Sequence, residues 1–484
     1  MMSYHDNYNK YLTKYLQLKN LMRNQNYKLH VEYRFELHGN ELTIIIKANQ
    51  NIDWFLGEQW CTEEINDKVI IKKEMDYIKY NISKKIHEYK DDRLYCYPMV
   101  RNNYACFTGV IGLYLPKLSN DYADFKVTYI TNFPLFISGI GRISESVTII
   151  SNLYLLKTQL YVFTENYIES DYLTLTHKDD AYFFMDKNKI IKKISKFIDK
   201  CYEFFEIKNK IKFLINYNGF LVENGSQETG KGGNGNYAGF NYAVTETQKT
   251  QELEKELTVY LLHELYHHFN KSSDYASNWF SEGFDEYFCR YLSMSHKKFI
   301  QECNIFLKKY WLNPYRNSKI TIMTRENFWK NKFIEKLPYE KGFVYALYLH
   351  QKYKNDFIDK YKKIILELYY NPKMVINNQI LKEMLTDDKF NDYIVNGNTI
   401  IIDYDYEIDM KTINFGFDIE SAINSHIVRK IKKTSEAYKN GLRNGNISKI
   451  HINDNIGTVV IIQNNIRFAF NMFCGNYIKI PQKN

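Results

Sequence analysis

Proline, paired cysteines and long apolar runs are scarce or absent in this sequence. Its 484 residues include seven prolines and seven cysteines, and no CxxC pair occurs among the cysteines. An odd number of scattered cysteines is typical of reduced, mostly buried thiols rather than of a disulfide framework. No run of about 18 apolar residues is present, and the polar N-terminus lacks the apolar core of a signal peptide. These absences predict a soluble, cytoplasmic protein without a membrane partner.

A strong charge of one sign is also absent. The excess of 65 lysines and arginines over 56 aspartates and glutamates gives a formal net charge of +9. Spread over this length, the excess falls far short of the dense basic stripe of a nucleic-acid-binding domain. The sequence therefore predicts no nucleic-acid partner, and it leaves the oligomeric state open. At about 100 to 200 residues per domain, the length allows two to four domains.

The hydrophobic pattern changes along the chain and predicts an α+β multidomain fold. Residues 1–26 have a loosely helical spacing and are expected to form a helical extension. Short β-branched and aromatic runs separated by Asn, Gly, Ser and Asp predict a β-sandwich domain over 27–178. A helical period from Lys187 onward favours an α-rich domain over 179–395, and short strands with Asn, Asp and Gly turns return over 396–484.

The segment TVYLLHELYHHF contains an HExxH motif that begins at His263. Residues four apart lie on the same helix face, so His263 and His267 can both direct a ring nitrogen at one zinc ion. Glu264 can then take a proton from the bound water during attack on a carbonyl and return it to the leaving group. The polar stripe falls where the period predicts a buried face, and buried polar groups need partners. The alternative is that both histidines are ordinary polar positions of an amphipathic helix.

A catalytic zinc ion takes three protein ligands and keeps one position open for water. The segment SNWFSEGFDEYFCRYL supplies a candidate third ligand, Glu282, and Gly283 beside it allows close approach. Glu286 follows one turn later, where its carboxylate can hydrogen-bond the free ring nitrogen of a metal-binding histidine. The alternative for Glu286 is a surface position. His268 is disfavoured as a ligand because adjacent residues do not share a helix face.

A glycine-rich segment offers a different chemistry. Residues 225–231, GSQETGK, fit the GxxxxGK pattern of a phosphate-binding loop. That motif requires a Ser or Thr next and then a helix, whereas Gly232 and a strand-like run follow here. Nucleotide binding is therefore disfavoured, and we expect a flexible loop that leads into an edge strand formed by YAGFNYAVT.

Together, HELYH and WFSEGFDEYF resemble the gluzincin metallopeptidases, which include aminopeptidase N and the glycyl aminopeptidases. The resemblance implies a thermolysin-like catalytic domain with one Zn²⁺ held by His263, His267 and Glu282. The downstream stretch LPYEKGFVYALYLHQ resembles the region in which those enzymes carry a tyrosine that hydrogen-bonds the transition-state oxyanion. Tyr339 is at the matching position, and a phenol donor aimed at developing negative charge is suited to that role.

Over nearly its whole length the chain resembles the glycyl aminopeptidase family. In the tail, NFGF, HIVRKI and TSEAYKNGLRNGNISKI resemble the carboxylate-binding loop, a strand and the SPAxxAGLxxGD segment of a PDZ domain. AGFNYAV resembles the substrate strand of the catalytic domain, and the residues implied to bind substrate are Ala238, Gly239, Phe240 and Asn241. The family's strand carries a glutamate that binds the substrate's free amine, and Asn241 replaces it here. A neutral amide binds an ammonium group less strongly than a carboxylate does.

The favoured function is therefore a zinc-dependent metallopeptidase that cuts peptide or protein substrates, with aminopeptidase-like specificity. A catalytically inactive protein that binds peptides through the same groove and the PDZ-like tail is the alternative. Glu264 and all three predicted ligands are intact, which counts against that alternative. A phosphate-loop enzyme is the third hypothesis, and Gly232 disfavours it. The choice between exopeptidase and endopeptidase action and the side-chain preference stay open.

Overall fold

A computed structural model describes most of the chain. The described residues are 29–56, 70–72, 77–82, 98–118, 124–221, 230–270, 275–371, 374, 376–402, 416–453 and 458–471. The predicted helical extension, 1–26, lies outside them. The chain divides into two compact units, the first made of Met1–Ile191 and Ile211–Thr250, the second of Lys192–Lys210 and Gln251–Asn484. The domain boundaries expected from the sequence remain predictions.

The first unit consists mainly of β-strands. They are β1 (His30–His38), β2 (Glu41–Ala48), β3 (Trp54–Leu56), β4 (Ile70–Lys72), β5 (Tyr77–Ile82), β6 (Met99–Arg101), β7 (Tyr104–Thr108), β8 (Tyr114–Pro116), β9 (Asp124–Thr131), β10 (Leu135–Ile137), β11 (Gly141–Ile143), β12 (Ser146–Asn152), β13 (Leu160–Phe163), β14 (Tyr167–Glu169), β15 (Leu173–His177), β16 (Phe213–Leu221), β17 (Gly230–Asn236) and β18 (Gly239–Glu246). Two short helices, α1 (Gly109–Gly112) and α2 (Leu153–Thr158), connect them. In the described residues the sheets have the orders β12-β9-β1-β2-β5-β4, β11-β10-β13-β7-β6 and β14-β15-β16-β18-β17, with β3-β8 as a separate pair.

Alternating burial explains why the first two of these sheets share a core. Every second side chain of β1 is buried, as expected for a strand with one face against the interior. Phe35 of the first sheet contacts Phe163 of the second, with ring centroids 5.4 Å apart. The buried side chains on the facing sides of the two sheets belong to one hydrophobic cluster, whereas the other side of the second sheet, with Phe136 and Val162, belongs to a separate one. The short strands expected in this region are thus present and surround a common core.

The third sheet corrects the expectation for the glycine-rich segment. Strands β16 and β18 run parallel, and β17 pairs antiparallel with the other side of β18. The glycine-rich run itself is therefore the edge strand, and AGFNYAV lies inside the sheet. Glycine has a low strand propensity, and pairing with the β-rich strand β18 overrides it. Lys231 lies within a strand and not before a helix, so the context of a phosphate-binding loop is missing.

The second unit is helical in its central part. After α3 (Lys187–Phe204), which crosses the boundary between the units in sequence, come α4 (Gln251–Tyr266), a 3-10 turn (Tyr275–Ser277), a π-helical turn (Trp279–Gly283), α5 (Phe284–Ser293), α6 (His296–Leu312), a 3-10 turn (Ile320–Ile322), α7 (Arg325–Lys330), α8 (Lys332–Tyr353), α9 (Asn355–Tyr370), α10 (Asn378–Leu385) and a second π-helical turn (Asn391–Val395). Mixed sheets and helices in more than one unit confirm the predicted α+β multidomain class.

The tail combines short helices and short strands. It contains α11 (Ile419–Ser425), β19 (Ile427–Val428), α12 (Glu436–Lys439), β20 (Gly445–Asn446), β21 (Lys449–Asn453), β22 (Thr458–Gln463) and β23 (Ile466–Asn471). Helix α11 begins directly after Asp418, whose side chain caps it by accepting a hydrogen bond from the Ser421 backbone. HIVRKI contributes only the two-residue strand β19, which pairs with β20. Residues 403–415 lie outside the described ranges, and the PDZ-like domain remains a prediction.

Two expectations about the environment of the chain can be compared with the described residues. Among these residues, no helix combines the length and the apolar character that crossing a bilayer requires. Cys106, Cys201, Cys289 and Cys303 are all free and buried. They pack as small apolar side chains, as the scattered spacing of the cysteines predicted.

Two glycines let the first π-helical turn and helix α8 approach each other closely. A Cβ atom on Gly342 of α8 would overlap the carbonyl oxygen of Trp279, and one on Gly283 would overlap the backbone of Gly342. The crossing is therefore a backbone-to-backbone contact that only glycine permits. It holds Glu282, within the turn, beside the part of α8 that carries Tyr339, which is one helical turn before Gly342.

We predict that Gly342→Ala lowers the free energy of unfolding by about 3 kcal/mol, the upper end of the usual cost of overpacking. The added methyl group meets backbone atoms, which cannot rotate away as a side chain can. Urea denaturation measures the change. Lys332→Ala, at an exposed position of the same helix, is the control and should change stability by no more than about 0.5 kcal/mol. Equal stability of Gly342→Ala and wild type would contradict the close contact.

Candidate metal centre

Helix α4 places the HExxH motif on its buried side. Leu257, Leu261 and Leu265 recur at four-residue intervals and are almost fully buried, so they fix which face of the helix packs inward. His263 is 3% exposed. His267 follows the last residue of α4, and its backbone N–H still donates to the His263 carbonyl at 3.3 Å. The helical turn therefore continues far enough to place both rings on one side.

The structure brings the three predicted ligand residues together. His263 Nε2 and His267 Nε2 are 3.1 Å apart. Each of these nitrogens lies 3.3 Å from Glu282 Oε2. The three atoms thus form a nearly equilateral triangle. Among the described residues, this is the group of histidine, cysteine and acidic side chains whose atoms converge closely enough to hold a metal ion.

The triangle fits tetrahedral zinc. Nitrogen and oxygen ligands about 2.0 to 2.1 Å from a tetrahedral zinc ion lie about 3.3 Å from each other, which matches the observed separations. Glu282 Oε2 is buried, and no donor among the described residues is placed in hydrogen-bonding geometry with it. A buried carboxylate oxygen without a donor is costly, and a cation removes that cost. The residues present therefore suit a zinc ion.

The π-helical turn explains how Glu282 reaches the histidines. The turn widens the helix over Trp279–Gly283, directly before α5 begins at Phe284. Trp279 anchors it, because the indole is fully buried and its Nε1 donates to Asn378 Oδ1 at 2.8 Å. Single π-helical turns within helices occur frequently at functional sites. The sequence predicted a helix here, but the helical period does not reveal a π turn.

Two carboxylates lie behind the histidines, and the sequence analysis predicted one of them. Glu286 Oε1 is 3.5 Å from His263 Nδ1, longer than a good hydrogen bond, and the same carboxylate pairs with Arg290. Asp285 Oδ2 is 2.8 Å from His267 Nδ1. Each Nδ1 faces a carboxylate, an arrangement that favours a proton on Nδ1 and an Nε2 that can accept a metal. Asp285 was missed because it reads as one of two adjacent acids in EGFDEYF.

Glu264 and Tyr339 lie beside the triangle. The Tyr339 and His263 rings have centroids 5.9 Å apart. Glu264 accepts a hydrogen bond from the side chain of Tyr260, one helical turn earlier on α4. Tyr260 was not singled out from the sequence, because the chain has 43 tyrosines and no motif marks this one. The residues predicted to act on the substrate are thus in the same unit as the predicted ligands.

Burial and neighbouring charges shift the pKa values of these acids in opposite directions. Burial alone would raise the pKa of the Glu282 carboxyl, but the imidazoles of His267 and His263 outweigh it and hold the pKa below its ordinary value. For Glu264, burial dominates and raises the pKa despite the same imidazoles. Burial also raises the pKa of Tyr339 well above its usual value, so the phenol stays protonated. The two glutamates therefore differ in basicity although they share one site.

The residues predicted to bind substrate belong to the first unit. Ala238 precedes β18, and Gly239, Phe240 and Asn241 begin it. Asn241 is 3% exposed, and its side-chain oxygen accepts a hydrogen bond from Asn216 Nδ2 at 2.8 Å. An ammonium group would have to compete with this buried amide for the same oxygen. The role of these residues in binding substrate remains a prediction.

Comparisons with known proteins give the fold. The sequence matches no protein-family model and no curated protein. An aminopeptidase N family protein from Idiomarina loihiensis is structurally similar, with a TM-score of 0.57 over 93% of this chain and 98% of its own, at 12% identity. Native yeast LTA4 hydrolase aligns with a TM-score of 0.44 over 80% of this chain and 70% of its own, at 11% identity. The first likeness shows a fold of the aminopeptidase N type, and the chemistry has to be argued from the site.

We predict that His267→Ala loses bound zinc, because two remaining ligands form a weak, open site. Zinc content of the purified protein, measured by atomic emission, should fall from about one ion per chain to near zero. His268→Ala is the matched control, since the neighbouring ring packs on Phe269 with centroids 5.2 Å apart. It should retain its zinc. Equal zinc content in His267→Ala and wild type would remove His267 from the ligand set.

Proposed function

We propose that the chain is a zinc-dependent metallopeptidase that hydrolyses peptide bonds, with aminopeptidase-like specificity. The observation that carries the proposal is the close triangle of His263 Nε2, His267 Nε2 and Glu282 Oε2. A triangle of two imidazoles and one carboxylate leaves a fourth tetrahedral position for water, as catalytic zinc sites require. The fold likeness to an aminopeptidase N family protein supports this reading.

The side chains around the triangle divide the chemistry between them. Bound there, Zn²⁺ would supply a Lewis acid that polarises the substrate carbonyl and acidifies water. Glu264 accepts the proton of the attacking water and returns it to the leaving amine. Tyr260 steadies the Glu264 carboxylate through its hydrogen bond. Tyr339, which stays protonated because its pKa is raised well above the ordinary value, donates a hydrogen bond to the oxygen on which negative charge develops.

A protein that only binds peptides would not need the general base, the phenol donor or the metal ligands. Glu264, Tyr339 and the three ligand residues are nevertheless all present and mutually close. We therefore favour an enzyme. Membership of the glycyl aminopeptidases, a PDZ-like tail, a cytoplasmic location and substrate contacts by Ala238–Asn241 are part of the same proposal. Because the Asn241 amide replaces the family's carboxylate, cleavage of peptides with blocked N-termini is also expected.

We predict that Glu264→Gln keeps its zinc and loses peptide hydrolysis. The amide can still hydrogen-bond the attacking water but cannot accept its proton, and general-base catalysis contributes about 10²- to 10⁴-fold. The assay follows cleavage of one peptide with a free and with an acetylated N-terminus, alongside metal analysis.

Glu252→Gln, at an exposed acid in the first turn of α4, is the control for this substitution and should retain full activity. Loss of zinc from Glu264→Gln would mean that Glu264 is structural. A wild-type protein that contains zinc but cleaves no peptide of either type would favour the inactive binding protein.

We predict that Tyr339→Phe lowers kcat by about 10²- to 10³-fold with little change in KM. The phenol acts on charge that appears only in the transition state, so substrate binding is spared. Steady-state kinetics on a single peptide distinguish the two constants. An increase in KM at unchanged kcat would instead assign Tyr339 to substrate positioning.

A further inference from the structure

We propose that Asp285, held by Asn270, is a positioning residue that orients His267 for zinc. The inference rests on the proposed zinc site and assigns a role to two residues that neither the HExxH motif nor the EGF segment marks. Its basis is a continuous line of contacts from the His267 ring through one buried carboxylate to one buried amide. These three side chains are sufficient to form the line of contacts.

The contacts are short, and two of the three residues that make them are buried. Asp285 and Asn270 are both completely buried. Asp285 Oδ2 lies 2.8 Å from His267 Nδ1, and its other oxygen accepts a hydrogen bond from Asn270 Nδ2 at 2.6 Å. Asn270 Nδ2 also donates to the Phe280 carbonyl at 3.0 Å. The amide is thereby tied to the π-helical turn, so Asp285 has one available orientation and transmits it to the imidazole.

Asp285 differs from Glu286, the carboxylate behind the other histidine. Arg290 binds Glu286 and also contacts Glu302, with Nε 3.0 Å from Oε2. Among the described residues, by contrast, no lysine or arginine forms an ion pair with Asp285. Its negative charge therefore faces the His267 ring without competition. A carboxylate in this place increases the electron density that the ring can donate from Nε2.

The hydrogen-bond pattern explains why an amide cannot replace Asp285. Two nitrogens that can donate, Nδ1 of His267 and Nδ2 of Asn270, face its two oxygens: Asn270 Nδ2 donates to Oδ1, and His267 Nδ1 lies 2.8 Å from Oδ2. In Asp285→Asn one of these donors must face an NH₂ group, whichever way the new amide is turned. The substitution preserves volume, so it tests hydrogen bonding and charge rather than packing.

We expect the full-length Asp285→Asn protein to bind zinc about 10- to 100-fold more weakly than wild type, the usual effect of removing an outer-shell partner. Metal-free protein is titrated with Zn²⁺ against a competing chelator at fixed pH. Cobalt substitution gives a second readout, because a reoriented imidazole changes the visible absorption of Co²⁺.

Asp387→Asn is the matched control. Asp387 is also a fully buried carboxylate of the second unit, and it accepts hydrogen bonds from Tyr345 and Tyr353, both at 2.8 Å. It should lose thermal stability but keep wild-type zinc affinity and the wild-type Co²⁺ spectrum. If both variants weaken zinc binding equally, the effect is general destabilisation and the positioning role is wrong.

Asn270→Ala provides a second test of the proposal in case Asp285→Asn does not fold. It removes the amide that holds Asp285 but leaves the carboxylate beside His267, so we expect a smaller loss of zinc affinity, about threefold to tenfold. If Asp285→Asn folds and binds zinc with wild-type affinity, the positioning role is wrong and the zinc site stands. If Asp285→Asn does not fold, wild-type zinc affinity in Asn270→Ala leads to the same conclusion. A wild-type protein that binds no zinc would overturn both.

Discussion

Three atoms that accept hydrogen bonds or metal ions, two from histidines and one from a glutamate, lie unusually close together in the second unit, and their mutual repulsion opposes this geometry. Two imidazole nitrogens and one carboxylate oxygen lie within 3.3 Å of one another, out of contact with most of the solvent. Acceptor atoms this close repel unless a cation lies among them. A protein can maintain such a geometry only if the backbones that carry the ligands are themselves rigid. Much of the architecture around α4, the π-helical turn and α8 serves that requirement.

Rigidity at this point comes from backbone contact and aromatic packing. The Gly283–Gly342 crossing leaves no space for side-chain adjustment between the turn and α8. Trp279 packs edge-on against Phe284 and Tyr345, at centroid distances of 5.6 and 5.5 Å. Edge-to-face contacts between buried rings add to the free energy gained from burial. Backbone contact and ring packing thus both restrain the turn that carries Glu282, the predicted ligand from outside the HExxH motif.

The sequence predicted this site to the extent that its geometry is local. An i, i+4 pair of histidines must share a helix face, and Glu282 was recognised from its EGF context, so these three could be selected without a structure. Asp285 and Asn270 could not, because they are 15 residues apart and no helical spacing predicts their contact. The same reason applies in the first unit, where β17 exists only through pairing with β18 and its glycines give no local signal.

Charge balance links the proposed zinc site to the stability of the second unit. Among the described residues, Glu264, Glu282 and Asp285 form no ion pair with a lysine or arginine, whereas Glu286 is paired with Arg290. Three carboxylates are therefore gathered around two histidines without a fixed cation, which costs folding free energy. At the proposed zinc site, a divalent ion would offset this cost only in the folded state, so zinc binding and folding would be coupled. The helical unit would then depend on zinc for part of its stability, and each residue that orients a ligand would contribute to both.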